Sequence, residues 1–223
     1  MLRVEGLQKK VLCPDHSEQL IAELPELSLP TGSSLVLTGP SGSGKTTVLH
    51  MLAGLLTPSG GSFQLDGADP FQLSLAARDH WRAQNIGCVF QSFNLLPPLT
   101  VEENLRAAVW LAQGKRWPEY EARMHSLLTE VGLADKAGLH PALLSMGEQQ
   151  RVAVVRAVIN EPRLILADEP TASLDERNRG VVMALLLRLT KRSHSSLIVS
   201  THDSAVMEFF ACRYDLREKR QLA

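Results

Sequence analysis

The chain has 223 residues, 44% of them hydrophobic and 21% charged, enough to bury one substantial core and too few for two. Its 23 Lys and Arg are balanced by 24 Asp and Glu and only 5% of residues are aromatic, which excludes a general basic field or base-stacking platform for nucleic acid. Cys13, Cys88 and Cys212 are odd in number and widely scattered, so they read as reduced structural thiols rather than a disulfide framework or a Cys-x-x-Cys metal site.

From the start, Met1-Leu2-Arg3-Val4-Glu5 lacks the apolar run of a secretory leader. The longest apolar runs, such as 181–187, fall well short of the ~18 residues that suggest a bilayer span. Both favour a cytoplasmic chain that does not itself cross a membrane. Residues 1 to about 30 do not alternate strand with helix, and 62–67 reads as a strand closed by a turn; the segments at about 1–30 and 60–70 together predict a small antiparallel β layer. Short apolar runs at 34–38, 86–90, 164–167 and 197–200 read as buried strands of a parallel sheet. Helical spacing marks 46–53, ending at Gly54, then 149–158 and 181–190. Between about 100 and 143 the pattern is wholly helical: Thr100 with Glu103 forms a capping box, and a second helix over 118–131 ends near Gly132. A last strand-like segment covers 213–217. The alternation predicts an α/β fold with a mainly parallel sheet, the antiparallel layer, and an inserted helical subdomain at about 93–147, all within one domain spanning 1–223.

Gly39-Pro40-Ser41-Gly42-Ser43-Gly44-Lys45-Thr46 fits G-x-x-x-x-G-K-[ST] directly after a predicted strand and before a predicted helix, which makes this a P-loop NTPase core. The glycines let successive N–H groups turn toward phosphates at a helix N-terminus, with Thr47 next in that first turn. Lys45 supplies a point charge for β/γ oxygens, and Thr46 a hydroxyl for Mg²⁺. A buried strand ends in Asp168-Glu169, where two uncompensated charges would be costly. A metal for Asp168 and a water for Glu169, acting as general base, give them a use.

Three further elements accompany these motifs: Gln91 after the strand 86–90, Leu144-Ser145-Met146-Gly147-Glu148-Gln149-Gln150-Arg151 before an apolar helix, and Thr201-His202-Asp203 after the strand 197–200. Together with Ser173-Leu174-Asp175, in this order and spacing, they make the chain resemble the ATP-binding cassette family, the nucleotide-binding subunits of ABC transporters, over essentially its whole length. Within that family it looks most like the lipoprotein-releasing, macrolide-export and cell-division group of bacterial ATPases, with amino-acid importer ATPases as the alternative.

The resemblance implies an ABC ATPase fold and an ATP- and Mg²⁺-dependent ATPase coupled to transport, peripheral on the cytoplasmic face of the cell membrane. It implies a homodimer, or a pair with a related ATPase subunit, arranged head to tail. In that pairing Ser145 and Gly147 of one copy contact the γ-phosphate held by the other, and Asp175 reaches across. It implies catalytic roles for Lys45, Gln91, Glu169 and His202, with Thr46, Gln91 and Asp168 at the metal. It also implies a membrane permease subunit docking near Phe93, Leu95 and Leu96. Ser145 with Glu148 is equally a helix cap, and both readings hold together. The chain departs from the pattern twice: Met146 stands where the signature usually has glycine, and Val11 where an aromatic is expected to stack on adenine. A small GTPase or nucleotide kinase would share only the phosphate loop; the chain has no Asn-Lys-x-Asp motif, and neither class accounts for Ser145 or His202. A soluble cassette of translation or repair would carry tandem cassettes or a long coiled-coil insertion, and a regulatory cassette would be expected to lack some of the catalytic set that is present here.

Overall fold

The computed structural model describes residues 1–114 and 117–222. In chain order the elements are β1 (Leu2–Leu12), β2 (Glu18–Leu29), β3 (Ser34–Thr38), α1 (Lys45–Leu52), β4 (Gly60–Leu65), α2 (Leu75–Asn85), β5 (Ile86–Val89), α3 (Val101–Gln113), α4 (Trp117–Glu130), α5 (Met146–Val158), β6 (Leu164–Asp168), α6 (Glu176–Arg192), β7 (Ser196–Ser200), α7 (Ser204–Met207), β8 (Arg213–Asp215) and β9 (Arg220–Leu222). Single 3₁₀ turns sit at Pro70–Gln72, Ala134–Lys136 and Pro141–Leu143.

The central sheet runs β5-β6-β7-β3-β8-β9, parallel throughout except for the antiparallel edge pair β8 and β9. Because successive side chains on a strand point to opposite faces, each apolar run feeds two cores. Leu35, Leu37, Leu164, Leu166 and Ile198 join α1 and the antiparallel sheet β2-β1-β4 on one face. Val36, Ile165, Ala167, Leu197 and Val199 pack with α3, α4, α5 and α6 on the other. This double burial is why the strands read as unbroken apolar runs rather than alternating ones. The α/β class with a small antiparallel layer is the architecture expected from the sequence.

Element limits differ where a cap or a polar first turn extends a helix. α5 starts at Met146 because the Ser145 capping box nucleates it, three residues ahead of the apolar spacing. α6 begins at Glu176, capped by Asp175, so its polar first turn precedes the apolar stripe. α2 has no counterpart among the sequence expectations: none of its residues is fully buried, so no apolar stripe marks it, although Ser74 caps it through Ala77 N. Among the described residues no helix is long and apolar enough to cross a membrane.

Candidate functional site

Every loop singled out for phosphate chemistry within one chain leaves the carboxyl edge of the parallel sheet, where open α/β sheets bind their ligands. β7 lies between β3 and β6, with Ser200 in register with Leu37 on one side and Asp168 on the other. The phosphate loop following β3 and the acidic pair ending β6 therefore flank the Thr201-His202 segment.

In the phosphate loop, α1 is capped by Gly44 with no side-chain cap, so its first backbone N–H groups are left for an external acceptor. Gly44 has φ 90°, and a Cβ there would come within 2.7 Å of Ala22 Cβ and 2.9 Å of the Ile21 carbonyl oxygen; the loop rests directly on β2. Lys45 is buried and its Nζ donates to the carbonyls of Gly39 (2.9 Å) and Pro40 (3.2 Å), which holds the cation across the mouth of the loop. Ser43 Oγ is buried without a partner, while Pro40, Ser41 and Thr46 are exposed and Thr47 is half-buried. An uncapped helix start, an orphaned hydroxyl and a clamped lysine fit a polyphosphate.

The acidic pair is compensated, and its partners come from the end of β7 and the two residues that follow it. Ser200 Oγ donates to Asp168 Oδ1. Glu169 N donates to the Ser200 carbonyl (3.0 Å), Thr201 Oγ1 donates to Glu169 Oε2 (3.1 Å), and His202 Nδ1 lies 2.7 Å from Glu169 Oε1. Against a carboxylate the Nδ1 position must carry the proton. The Glu169 side chain is 14% exposed and that of His202 71%, so a shielded base is oriented by a ring whose Nε2 edge is free. Glu169 also has φ 44°, a left-handed conformation of the kind that concentrates at functional sites. The His202 loop is braced in turn: Arg179 from α6 pairs with Asp203 at 2.9 Å, and Asp203 caps α7.

Ser145 and Asp175 form a second locus. Ser145 and Glu148 make a complete capping box, with Ser145 N and Oγ at 2.8 and 2.9 Å from Glu148 Oε2. The hydrogen bond from Lys136, followed by that from Ser145 N, holds the Glu148 carboxyl down to about 2. Gly147 is buried against α6: a Cβ would come within 3.0 Å of Asn178 Oδ1, and Asn178 donates to both Asp175 oxygens (2.9 and 2.6 Å). The hydrogen bonds from Asn178 N and Nδ2 place the Asp175 carboxyl below its ordinary range. Met146 opens α5 with helical backbone and an exposed side chain, so methionine carries no backbone strain there. Gln150 is fully buried and donates to the Pro170 carbonyl, tying α5 to the turn after Glu169. Ser145 and Asp175 are both exposed, and among the described residues no hydrogen bond joins either to residues 39–46.

Gln91 is exposed on the turn following β5. The next loop is held by Arg156 of α5, whose guanidinium donates to the carbonyls of Phe93 (2.8 Å) and Asn94, two residues with positive φ. Asn104 bonds the backbone of Leu96, Leu99 and Thr100. Beside this loop lies a groove of about 350 Å³, lined by Cys88, Phe90, Leu96, Ala107, Leu111 and Arg156 among others. Burial pushes the Cys88 thiol up to about 11, leaving it an inert part of the groove floor. Leu95 turns inward against the core, whereas Leu96 is half exposed at the groove. Sequence reasoning missed Arg156, Asn104, Lys136 and Arg179, whose partners are distant in sequence or are backbone atoms. Ser200 and Thr201 were legible as polar residues next to His202.

A family model described as ABC transporter matches residues 24–172. The chain is 41% identical over 190 residues to the lipoprotein-releasing system ATP-binding protein LolD 1 of Rhodopirellula baltica, covering 85% of this chain and 82% of that one. It is 36% identical over 218 residues to LolD of Treponema pallidum, covering 98% and 96%. Among solved structures, the dimeric post-hydrolysis ATP-binding cassette MJ0796 bound to ADP and Pi superposes with a TM-score of 0.88 at 31% identity, covering 100% of this chain and 98% of that one. A second dimeric MJ0796 structure, of a bacterial ABC transporter cassette, gives 0.86 at 32% identity, covering 96% and 94%. A phosphate loop beside a shielded, oriented glutamate, on a fold shared with these cassettes, identifies the chain as a member of the ABC transporter family and one of its ATPases.

Proposed function

We propose that two copies of the chain, peripheral on the cytoplasmic face of the membrane, close head to tail on ATP, hydrolyse it in two composite sites, and use closure to drive a separate membrane subunit in the extraction or export of a lipoprotein-like cargo. The observation that carries this reading is the division of the phosphate chemistry between two loci. Lys45, Glu169 and His202 cluster at the sheet edge, whereas Ser145 at the α5 N-terminus and Asp175 at the α6 N-terminus are exposed and turned to other partners. A second copy would bring the missing anion contacts to the phosphate loop. The dimeric MJ0796 cassettes and the lipoprotein-releasing relatives support the pairing and the cargo class.

In this reading the loop 39–47 cradles the phosphates, Lys45 leaves the Gly39 and Pro40 carbonyls for phosphate oxygens, and Glu169 accepts the proton of the attacking water. Thr201 and His202 keep the carboxylate aimed, each donating to one of its two oxygens. Thr46, Asp168 and Gln91 offer hydroxyl, carboxylate and amide oxygens, a donor set suited to Mg²⁺, which would neutralise charge on the phosphate oxygens. The segment at about 93–147 acts as the helical subdomain, and the groove at Leu96, beside the Phe93 loop, receives the membrane subunit. Leu95 supports that wall from the core side.

To test this reading, an N-terminally tagged Glu169→Gln chain is recovered from detergent-solubilised native membranes with Mg-ATP and its partners are identified by mass spectrometry. One or two multi-span membrane proteins are expected; soluble partners or nucleic acid alone would overturn the reading. Leu96→Ser is expected to lower recovery of the membrane protein at least about fivefold without affecting the fold, since Leu96 is exposed while Leu95 is not.

Val11 lies on β1 opposite Gln19 near the hairpin tip, an aliphatic side chain 41% exposed. Without a ring there, recognition rests on the phosphates, and KM for GTP is expected within about tenfold of that for ATP. Base stacking is worth about 1–3 kcal/mol, so Val11→Tyr is expected to lower KM for ATP several-fold, measured by steady-state phosphate release.

A further inference from the structure

Glu148 places a permanent negative charge in the first turn of α5, close to the helix start that is to meet a phosphate. Its carboxyl is held down to about 2, so protonation does not remove that charge at working pH. As a capping residue it is favourable to the isolated helix. Toward an arriving polyanion it is repulsive, and it holds the Ser145 hydroxyl as well: Ser145 Oγ donates its one proton to Glu148 Oε2 at 2.9 Å.

The other carboxylate oxygen is taken by a cation from outside the helix. Lys136 ends the 3₁₀ turn Ala134–Lys136, is anchored by backbone hydrogen bonds from its N–H to the Leu133 carbonyl and from Leu139 N to its carbonyl, and pairs through Nζ with Glu148 Oε1. Both side chains are less than one-third exposed, which limits solvent screening of the pair.

We propose that Lys136 is a positioning residue of the composite site: by neutralising Glu148 it lets the N-terminus of α5 accept the γ-phosphate. This rests on the reading that Ser145 of one copy faces the phosphate loop of the other. The capping box alone does not require Lys136, since Ser145 and Glu148 already satisfy one another.

The test uses the full chain in a Glu169→Gln background and measures ATP-dependent dimerisation by sedimentation, with circular dichroism to establish folding of each variant. Lys136→Met is expected to raise the ATP concentration needed for half-dimerisation tenfold or more, and Lys136→Arg to leave it within about threefold. Glu148→Gln keeps a capping partner at the third helical position but removes the charge. Combined with Lys136→Met, it is expected to restore dimerisation to within about twofold of Glu148→Gln alone. A purely structural role for Lys136 would leave the double variant as weak as Lys136→Met, and that result, or Lys136→Met within twofold of the parent, overturns the proposal. Ser145→Arg reports separately on the underlying reading. If it dimerises like the parent, the trans contact itself is wrong; if it stays monomeric while Lys136→Met does not weaken dimerisation, only the role of Lys136 fails.

Discussion

Glu169→Gln is expected to lower ATP turnover by at least about two orders of magnitude while leaving ATP binding within about twofold of the parent. Proton transfer by a positioned base contributes roughly 10²–10⁴-fold, and the amide keeps the shape of the carboxylate but loses its basicity. The surroundings accept the exchange. Thr201 Oγ1 can donate to the amide oxygen, and His202 can meet the amide N–H₂ by moving its proton from Nδ1 to Nε2, so the geometry of the pair persists. The left-handed backbone at residue 169 is unchanged, because glutamine adds no branching at Cβ. Phosphate release under saturating Mg-ATP, set beside equilibrium nucleotide binding, separates the two effects. His202→Ala is expected to cost less, roughly 10- to 100-fold, because Thr201 still orients one carboxylate oxygen. Glu169→Gln retaining a tenth or more of the parental turnover would remove Glu169 from the role of base.

What was legible in the sequence follows from which interactions are local. The phosphate loop is a contiguous octet between a strand and a helix, so its glycines and Lys45 announce themselves, and the doubly buried strands appear as apolar runs because both faces are covered. The Thr100 and Ser145 capping boxes are likewise three-residue patterns, and both are formed. α2 escaped because a helix lying on the surface with no fully buried residue leaves no apolar period to read. The supports of the site escaped for a different reason. Arg156 recognises backbone carbonyls sixty or so positions away, at Phe93 and Asn94, and Arg179 reaches Asp203 across two elements, contacts that leave no spacing signature. Neither the sequence nor the fold of one chain joins Ser145 to a phosphate loop; that relation came from the resemblance, and one copy alone shows Ser145 engaged with Glu148. Met146, a departure from the usual signature, proves compatible with the helix because its position takes ordinary helical dihedrals, whereas Gly147 next to it is closed off by Asn178.

Gly44→Ala and Gly42→Ala are expected to separate the phosphate loop's two demands on glycine, the backbone conformation and the close approach to β2. Both positions have positive φ, 78° at Gly42 and 90° at Gly44, and an L side chain costs about 1–2 kcal/mol in such a conformation. At Gly42 a Cβ would meet nothing within 4 Å. At Gly44 it would sit 2.7 Å from Ala22 Cβ and 2.9 Å from a backbone oxygen of Ile21, and β2 is held there by its pairing with β1. Neither neighbour is the end of a flexible side chain, so overpacking adds about 1–3 kcal/mol. With about 2–4 °C per kcal/mol for a chain of this size, Gly44→Ala is expected to lower Tm by about 4–20 °C and Gly42→Ala by only about 2–8 °C. The functional consequence at Gly44 is larger still. Relieving the clash displaces the residue that caps α1, moves the uncapped N–H groups away from the phosphates, and shifts Lys45 with them, so nucleotide binding is expected to fall by two orders of magnitude or more. Calorimetric melting with and without Mg-ATP checks both parts: the parent should gain stability with nucleotide by mass action, and Gly44→Ala should gain none. A Gly44→Ala protein that melts like the parent and still responds to nucleotide would show that the loop does not bear on β2, and that Ala22 and Ile21 do not set its position.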